Sequence, residues 1–116
     1  MSTNHEIIKS KIEDLKQKGS AVIFDIDGLY VQLVPSEPGQ MYCEAVSHNF
    51  NPAVSKALEG SFSAMGFKLD KKANYCRHYS VNTKEEIDKL VQDIERIFTE
   101  LYGLEPNSQI DVTGVE

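Results

Sequence analysis

The chain has 116 residues, of which 41% are hydrophobic and 26% are charged, and its formal net charge is −6 at neutral pH. This length allows one domain and is too short for a core domain with a separate cap or lid. The acidic balance argues against a nucleic-acid surface, and no apolar run approaches the ~18 residues of a membrane-spanning helix. The first residues lack the basic and apolar regions of a signal peptide, so we expect a cytoplasmic protein that binds neither nucleic acid nor membrane.

The N-terminal part of the chain predicts a helix followed by a meander of three strands. Apolar residues at helical spacing predict a helix over 4–18, which Gly19 ends. Three apolar runs then predict antiparallel strands: 20–26, 29–34 and 41–46. Asp27-Gly28 tolerates positive φ and predicts a two-residue hairpin turn between the first two strands. A loop that contains two prolines and a glycine separates the second strand from the third.

The middle of the chain predicts a second helix and a second pair of strands. Asn51, followed by a proline, is typical of a helix start, and apolar residues at helical spacing then continue to Gly66. Two short runs, 67–69 and 75–81, predict strands that are joined by a turn over 70–74.

The C-terminal part predicts a long helix and a tail. Thr83 and Glu86 are spaced as a capping box before the most regular apolar stripe of the chain, which predicts a helix that ends at Leu101. Residues 105–116 mix polar and scattered apolar residues, so we expect a loosely ordered tail. The fold class is therefore a single α+β domain over 1–104, with an antiparallel sheet packed against helices in the order α-β-β-β-α-β-β-α.

One segment suggests an enzyme. Residues 21–28 resemble the first motif of haloacid dehalogenase-like phosphohydrolases, in which the first aspartate attacks phosphorus and binds magnesium and the second acts as acid and base; these would be Asp25 and Asp27. No later strand ends in the further carboxylates that would hold magnesium. We favour a hairpin turn without catalytic function and keep a magnesium-dependent phosphohydrolase as the alternative.

A metal site is the next alternative. Cys76 and His78 lie two residues apart on a predicted strand, and Cys43 with His48 could complete a zinc tetrad. No CxxC pair anchors such a site, and the two strand pairs need not meet. We therefore favour buried thiols and an ordinary histidine, and expect neither a disulfide nor a cofactor.

Aromatic and polar side chains on the predicted strands are candidates for binding a protein or peptide. We expect Tyr30, Gln32, Tyr42 and Glu44 to be exposed, because burial of the glutamine and the glutamate would require hydrogen-bond partners. The alternate residues Val31, Leu33, Cys43 and Ala45 would then face the long helix. Tyr75, Arg77 and Tyr79 predict a half-exposed face that favours a homodimer, although simple cross-strand packing explains them equally well.

Five short segments distributed over 29–104 carry a family resemblance: YVQ at 30–32, EAVSHNF at 44–50, MGF at 65–67, NY at 74–75 and ELYG at 100–103. They resemble the TY-Chap family, whose members are similar to type III secretion chaperones and YbjN-like proteins. The resemblance implies an α+β sandwich that dimerises and binds extended peptide segments, and it carries no catalytic residues. A tryptophan often found in these relatives is Phe67 here.

The function expected from these observations is that of a bacterial, cytoplasmic, chaperone-like module. It would bind a protein or peptide client and catalyse no reaction. A structural subunit that dimerises without a client is the further alternative.

Overall fold

A computed structural model describes residues 3–18, 20–69 and 73–115. Its elements in chain order are α1 (Thr3–Gln17), β1 (Ala21–Ile26), β2 (Leu29–Glu37), β3 (Gln40–Ala45), a 3₁₀ turn (Lys56–Leu58), α2 (Glu59–Ala64), β4 (Lys68–Leu69), β5 (Tyr75–Ser80), α3 (Lys84–Arg96) with a π-helical extension (Ile97–Leu101), and β6 (Asp111–Val115). The predicted α+β class is confirmed. The predicted helix stop at Gly19 and residues 70–72 of the predicted turn lie outside the described residues.

All the described strands belong to one antiparallel sheet of six strands, in the order β4-β5-β3-β2-β1-β6. The predicted meander and the predicted strand pair meet where β3 pairs with β5, with Glu44 opposite Cys76. Asp27 (φ 54°) and Gly28 (φ 84°) form the turn between β1 and β2, which confirms the predicted hairpin. The sheet is therefore wider than either predicted group of strands.

One face of the sheet carries the hydrophobic core. α1 contacts α3 and β1, and α3 also contacts β5. The strand residues buried on this face are Val22, Phe24, Val31, Leu33, Met41, Cys43, Ala45, Tyr75 and Tyr79. Phe62 of α2 is fully buried and stacks on Tyr75 with ring centroids 4.0 Å apart. Burying each large apolar side chain stabilises the fold by about 1.5–3 kcal/mol.

Side-chain caps set the starts of two helical segments. Thr83 Oγ1 accepts a hydrogen bond from the Glu86 amide (3.2 Å), and the Glu86 carboxylate accepts one from the Thr83 amide (3.1 Å), so the predicted capping box is confirmed. The second helix starts later than predicted. Asn51 accepts from the Ala53 amide and donates to the Gly28 carbonyl, which stabilises a turn, and Ser55 caps the 3₁₀ turn instead.

The C-terminal segment differs most from its prediction. The expected loose tail supplies β6, which pairs with β1 from Asp25 opposite Asp111 to Ala21 opposite Val115. Ile110, just before β6, is buried in the core. The free edge of β1 offers the segment a row of backbone partners, and this long-range cause leaves no strong pattern in five residues.

None of the helices in the described part of the chain has the length and hydropathy that would let it cross a membrane.

Candidate functional site

The candidate site is the sheet face opposite α1 and α3, which we call the uncovered face. Strand residues alternate between the two faces, and direct cross-strand partners share a face. The uncovered face consists mainly of Ile23, Asp25, Tyr30, Gln32, Val34, Tyr42, Glu44, Cys76, His78, Asp111 and Thr113. Each of these side chains is half-buried or exposed. Tyr30, Gln32, Tyr42 and Glu44 lie on the face away from the long helix, as predicted, but they are half-buried rather than exposed.

Asn74 organises one end of the uncovered face. It is 4% exposed, and its side-chain amide donates to the Tyr30 hydroxyl (2.7 Å) and to the Glu44 carboxylate (2.7 Å). Its side-chain oxygen accepts from the Ser47 amide (2.9 Å). The pKa of Tyr30 is raised above its ordinary value, mainly because the side chain is partly buried. The Glu44 carboxylate acts in the same direction, and the hydrogen bond from Asn74 partly opposes the rise. Tyr30 and Glu44 are thus held in defined orientations by a common partner.

Tyr42 is held in a similar way near the centre of the face. Its hydroxyl donates to Cys76 Sγ (2.7 Å), and its ring meets the His78 ring edge-on with centroids 5.2 Å apart. On its other side Tyr42 pairs directly with Val34 of β2. An aromatic ring that is held in place loses little conformational entropy when it binds a partner.

The charge of the uncovered face is mainly acidic. Asp25 and Asp111 are direct cross-strand partners on β1 and β6, and Glu44 lies nearer the middle of the sheet. Like charges directly opposite each other in an antiparallel ladder are destabilising. The ion pairs within the described ranges involve none of these three carboxylates. A basic group of a partner would therefore meet three carboxylates that form no ion pair with the described residues.

The second predicted set of binding residues lies on the other side of the sheet. Tyr75 (1% exposed) and Tyr79 (5% exposed) are in the core, where they share a face with Ala45 and Met41, and Arg77 shares that face with Cys43. The prediction of a half-exposed aromatic face on β5 is wrong. The side chains of β5 alternate between the two faces with a period of two residues, whichever face is buried. The packing of the helices decides which face is buried, and it places the β5 tyrosines in the core.

Tyr79 and Arg77 instead contribute to a polar network beneath α3. The Tyr79 hydroxyl donates to Asp93 Oδ2 (2.7 Å), and Lys89 Nζ lies 2.9 Å from Asp93 Oδ1. Arg77 lies 3.5 Å from Asp93 Oδ2, donates to the Met65 carbonyl and covers the Tyr79 ring. Asp93 is only 3% exposed, so this network fixes α3 on β5 and contributes to the core.

The two aspartates of the phosphohydrolase alternative lie at the turn between β1 and β2. Asp25 Oδ1 accepts a hydrogen bond from the Gly28 amide (2.8 Å), while Asp27 is an exposed turn residue with positive φ. No cluster of three or more His, Cys, Asp or Glu side chains that could hold a metal ion occurs in the part of the chain that the structure describes.

The cysteines of the zinc alternative lie on opposite faces of the sheet. Cys43 is buried in the core opposite Arg77, whereas Cys76 is opposite Glu44 on the uncovered face. Burial raises the pKa of the Cys43 thiol far above its ordinary value, and the neighbouring Asp93 carboxylate acts in the same direction. Cys43 therefore stays a protonated thiol that packs as a small apolar side chain.

Sequence reasoning missed the organising roles of Asn74 and Asp93. Asn74 has no local signal beyond that of a turn residue, since its partners lie 27 to 44 positions away. Asp93 could have been noticed, because it lies three residues after Leu90 and four before Ile97 at the margin of the apolar stripe. A carboxylate at that position indicates a buried polar contact.

A scan against protein-family models, a search of curated proteins and a search of solved structures each find no match to this chain. The resemblance to the TY-Chap family therefore stays a prediction.

Proposed function

We propose that this protein is a non-catalytic, chaperone-like module of the cytoplasm that binds an extended segment of a client protein on the uncovered face. The observation that carries the proposal is the set of side chains on that face. Tyr30, Val34 and Tyr42 occupy the two central strands, and all three are half-buried, so part of each side chain faces solvent. The resemblance to the TY-Chap family supports the same type of function.

An open sheet face is common in antiparallel sheets, so an open face alone does not indicate binding. The evidence for binding is the type of side chain that the face carries. A face that only contacts water usually carries charged and small polar residues on its central strands. Here the two central strands carry two tyrosines and a valine beside Gln32 and Glu44, and Asn74 at one end of the face fixes Tyr30. Tyrosines that are held in this way are typical anchors of protein interfaces.

The charges suggest the chemistry of the client. Asp25, Glu44 and Asp111 carry negative charge without an ion-pair partner in the described residues, and the whole chain has a net charge of −6. A client segment with alternating apolar and basic side chains would pack on the tyrosines and neutralise the carboxylates. Lys68, at the β4 end of the face, marks where the acidic surface ends.

A site-specific photo-cross-linking experiment in the source cell tests this proposal. The cross-linking residue is placed at Gln32, in the centre of the uncovered face, or at the exposed Lys11 of α1 as a matched control. We expect an adduct with another protein from position 32 and none from position 11. Tyr42→Ala and Glu44→Lys should each weaken the adduct, the second through charge repulsion with a basic client.

The identity of the adduct separates the possible functions. An adduct with a second copy of this chain would favour a dimerisation subunit, which the resemblance also allows. Equal labelling from positions 32 and 11, or an adduct that Tyr42→Ala and Glu44→Lys leave unchanged, would contradict the proposed function.

A further inference from the structure

The edge of β1 is covered by a strand that fits it imperfectly. β6 lies at an edge of the described sheet, where β1 is its ladder partner among the described strands. The segment before it is firmly attached, because Ile110 is buried and the Asn4 side chain donates to the carbonyls of Pro106 (3.1 Å) and Ser108 (2.7 Å). β6 therefore starts from a fixed point and can separate from β1 without disturbing that point.

The first imperfection is electrostatic. Asp111, the first residue of β6, lies directly opposite Asp25 of β1 on the uncovered face. Two carboxylates in this position repel each other, whereas a basic residue opposite Asp25 would attract it.

The second imperfection is a missing side chain on the core side. Gly114 lies opposite Val22, which is a core residue. Apart from Gly114 itself and its two chain neighbours, no heavy atom lies within 4 Å of the place where a Gly114 Cβ would stand, and its φ is not positive. Backbone geometry does not require glycine here, and the position opposite Val22 has room for a β-branched side chain.

The side chains at positions 111–114 of β6 add little packing. Asp111 and Thr113 are exposed, and within 111–114 it is Val112 that packs against the core. These four positions are therefore held mainly by the backbone ladder, and such a segment belongs to the part of a fold that opens at low free energy.

We propose that β6 is a displaceable strand and that the edge of β1 is a second binding site, for an extended segment of another protein. The segment adds antiparallel to β1 with a basic residue opposite Asp25, an apolar residue opposite Phe24 and a β-branched residue opposite Val22. A β6 strand exchanged from a second copy is a poorer occupant, since it brings the same aspartate and glycine. Of the three β1 residues named here, only Asp25 also belongs to the uncovered face, and the edge of β1 binds through its backbone, so the proposal does not rest on the function proposed above.

The test uses the full chain and a fluorescent peptide with the sequence of residues 110–115 carrying the changes Asp111→Lys and Gly114→Val. Fluorescence anisotropy compares it with the unchanged peptide and with a scrambled peptide of the same composition. We expect the changed peptide to bind about tenfold or more tightly than the unchanged one, because it gains an ion pair and a packed side chain. Hydrogen exchange should show faster exchange at residues 112–115 of the protein when the peptide is bound.

Two variants of the protein control the edge itself. Asp111→Lys with Gly114→Val strengthens the protein's own β6 and should weaken peptide binding by about tenfold or more. The double variant Val112→Pro with Thr113→Pro should bind the peptide more tightly. Neighbouring amides of a strand point to opposite edges, so one of the two prolines removes a hydrogen-bond donor from β6 to β1. The protein's own β6 then competes less well for the edge of β1. Tyr42→Ala should leave binding unchanged, which separates this site from the uncovered face.

Either of two results would overturn the proposal. One is a changed peptide that binds neither the wild type nor the folded proline variant. The other is equal binding to the wild type and to the strengthened variant, which would mean that the peptide binds elsewhere.

Discussion

Replacing Asp93 by alanine tests whether the polar network beneath α3 stabilises the fold as its geometry indicates. The carboxylate is 5% exposed and meets a tyrosine hydroxyl at 2.7 Å, a lysine at 2.9 Å and an arginine at 3.5 Å. These three partners differ in exposure, so the loss of Asp93 affects each of them differently.

The expected magnitude follows from those exposures. Tyr79 is only 5% exposed, so its hydroxyl would be left buried without an acceptor. This lowers the free energy of unfolding by about 1–3 kcal/mol. Lys89 is 57% exposed and returns to water, so it adds little. Arg77 is 29% exposed and keeps the Met65 carbonyl, so only part of the about 3–5 kcal/mol for breaking a buried ion pair applies. We expect Asp93→Ala to lower the free energy of unfolding by about 2–4 kcal/mol.

Urea denaturation followed by far-UV circular dichroism measures this change, since the chain has no tryptophan. The matched control is Asp88→Ala on the same helix, where an ion pair of 3.6 Å with Lys9 is partly exposed and should contribute less than about 1 kcal/mol. In a Tyr79→Phe background the cost of Asp93→Ala should fall by about 1 kcal/mol or more, because no hydroxyl is left without an acceptor. If that cost is the same in both backgrounds, the hydroxyl and the carboxylate are independent and our account of the network is wrong.

Three further predictions concern the two faces of the sheet, the pKa of Tyr79 and Tyr102, and the role of Asp25. Leu33→Ala should lower the free energy of unfolding by about 2–5 kcal/mol, whereas Tyr42→Ala on the uncovered face should change it far less; the reverse order in urea titrations would mean that the two faces are assigned wrongly. Burial raises the pKa of Tyr79 and Tyr102 well above the ordinary value, so the folded protein keeps protons that the unfolded chain loses above about pH 10. The stability that these tyrosines contribute is complete below about pH 10 and should then fall by about 1.4 kcal/mol per pH unit for each residue, a slope that Tyr102→Phe should reduce in alkaline denaturation curves. Asp25→Asn should keep the hairpin, and neither protein should hydrolyse a phosphate monoester with magnesium; hydrolysis by the wild type that the folded variant loses would establish the enzyme alternative.

The features that could be predicted from the sequence depend on residues that are near one another in the chain. The turn at Asp27-Gly28 requires two neighbouring residues that tolerate positive φ. The capping box of Thr83 and Glu86 spans one helical turn, and the apolar stripe of α3 is a local periodicity. The alternation on β2 and β3 also assigned their faces, because Gln32 and Glu44 are costly to bury.

The candidate site was predictable only in part, for the same reason. Tyr30, Gln32, Tyr42 and Glu44 lie on adjacent strands of one hairpin, so a single alternation relates them. Asn74, which fixes two of these side chains, is brought to them by the pairing of β5 with β3, and no local pattern encodes that pairing.

The sequence by itself determined the start of α3, the first hairpin and the inner and outer residues of the central strands, since each follows from steric and hydrogen-bonding preferences within a few residues. Tertiary structure decided which side of β5 is buried, because the same alternation Tyr75, Arg77, Tyr79 suits either face until α3 supplies Asp93 as a partner. It also decided the conformation of the C-terminal segment, because a short stretch of mixed polar and apolar residues becomes a strand only when the unpaired edge of β1 offers it backbone donors and acceptors. Both outcomes depend on contacts between residues far apart in the chain, whose free energy exists only once the sheet and its helices have assembled.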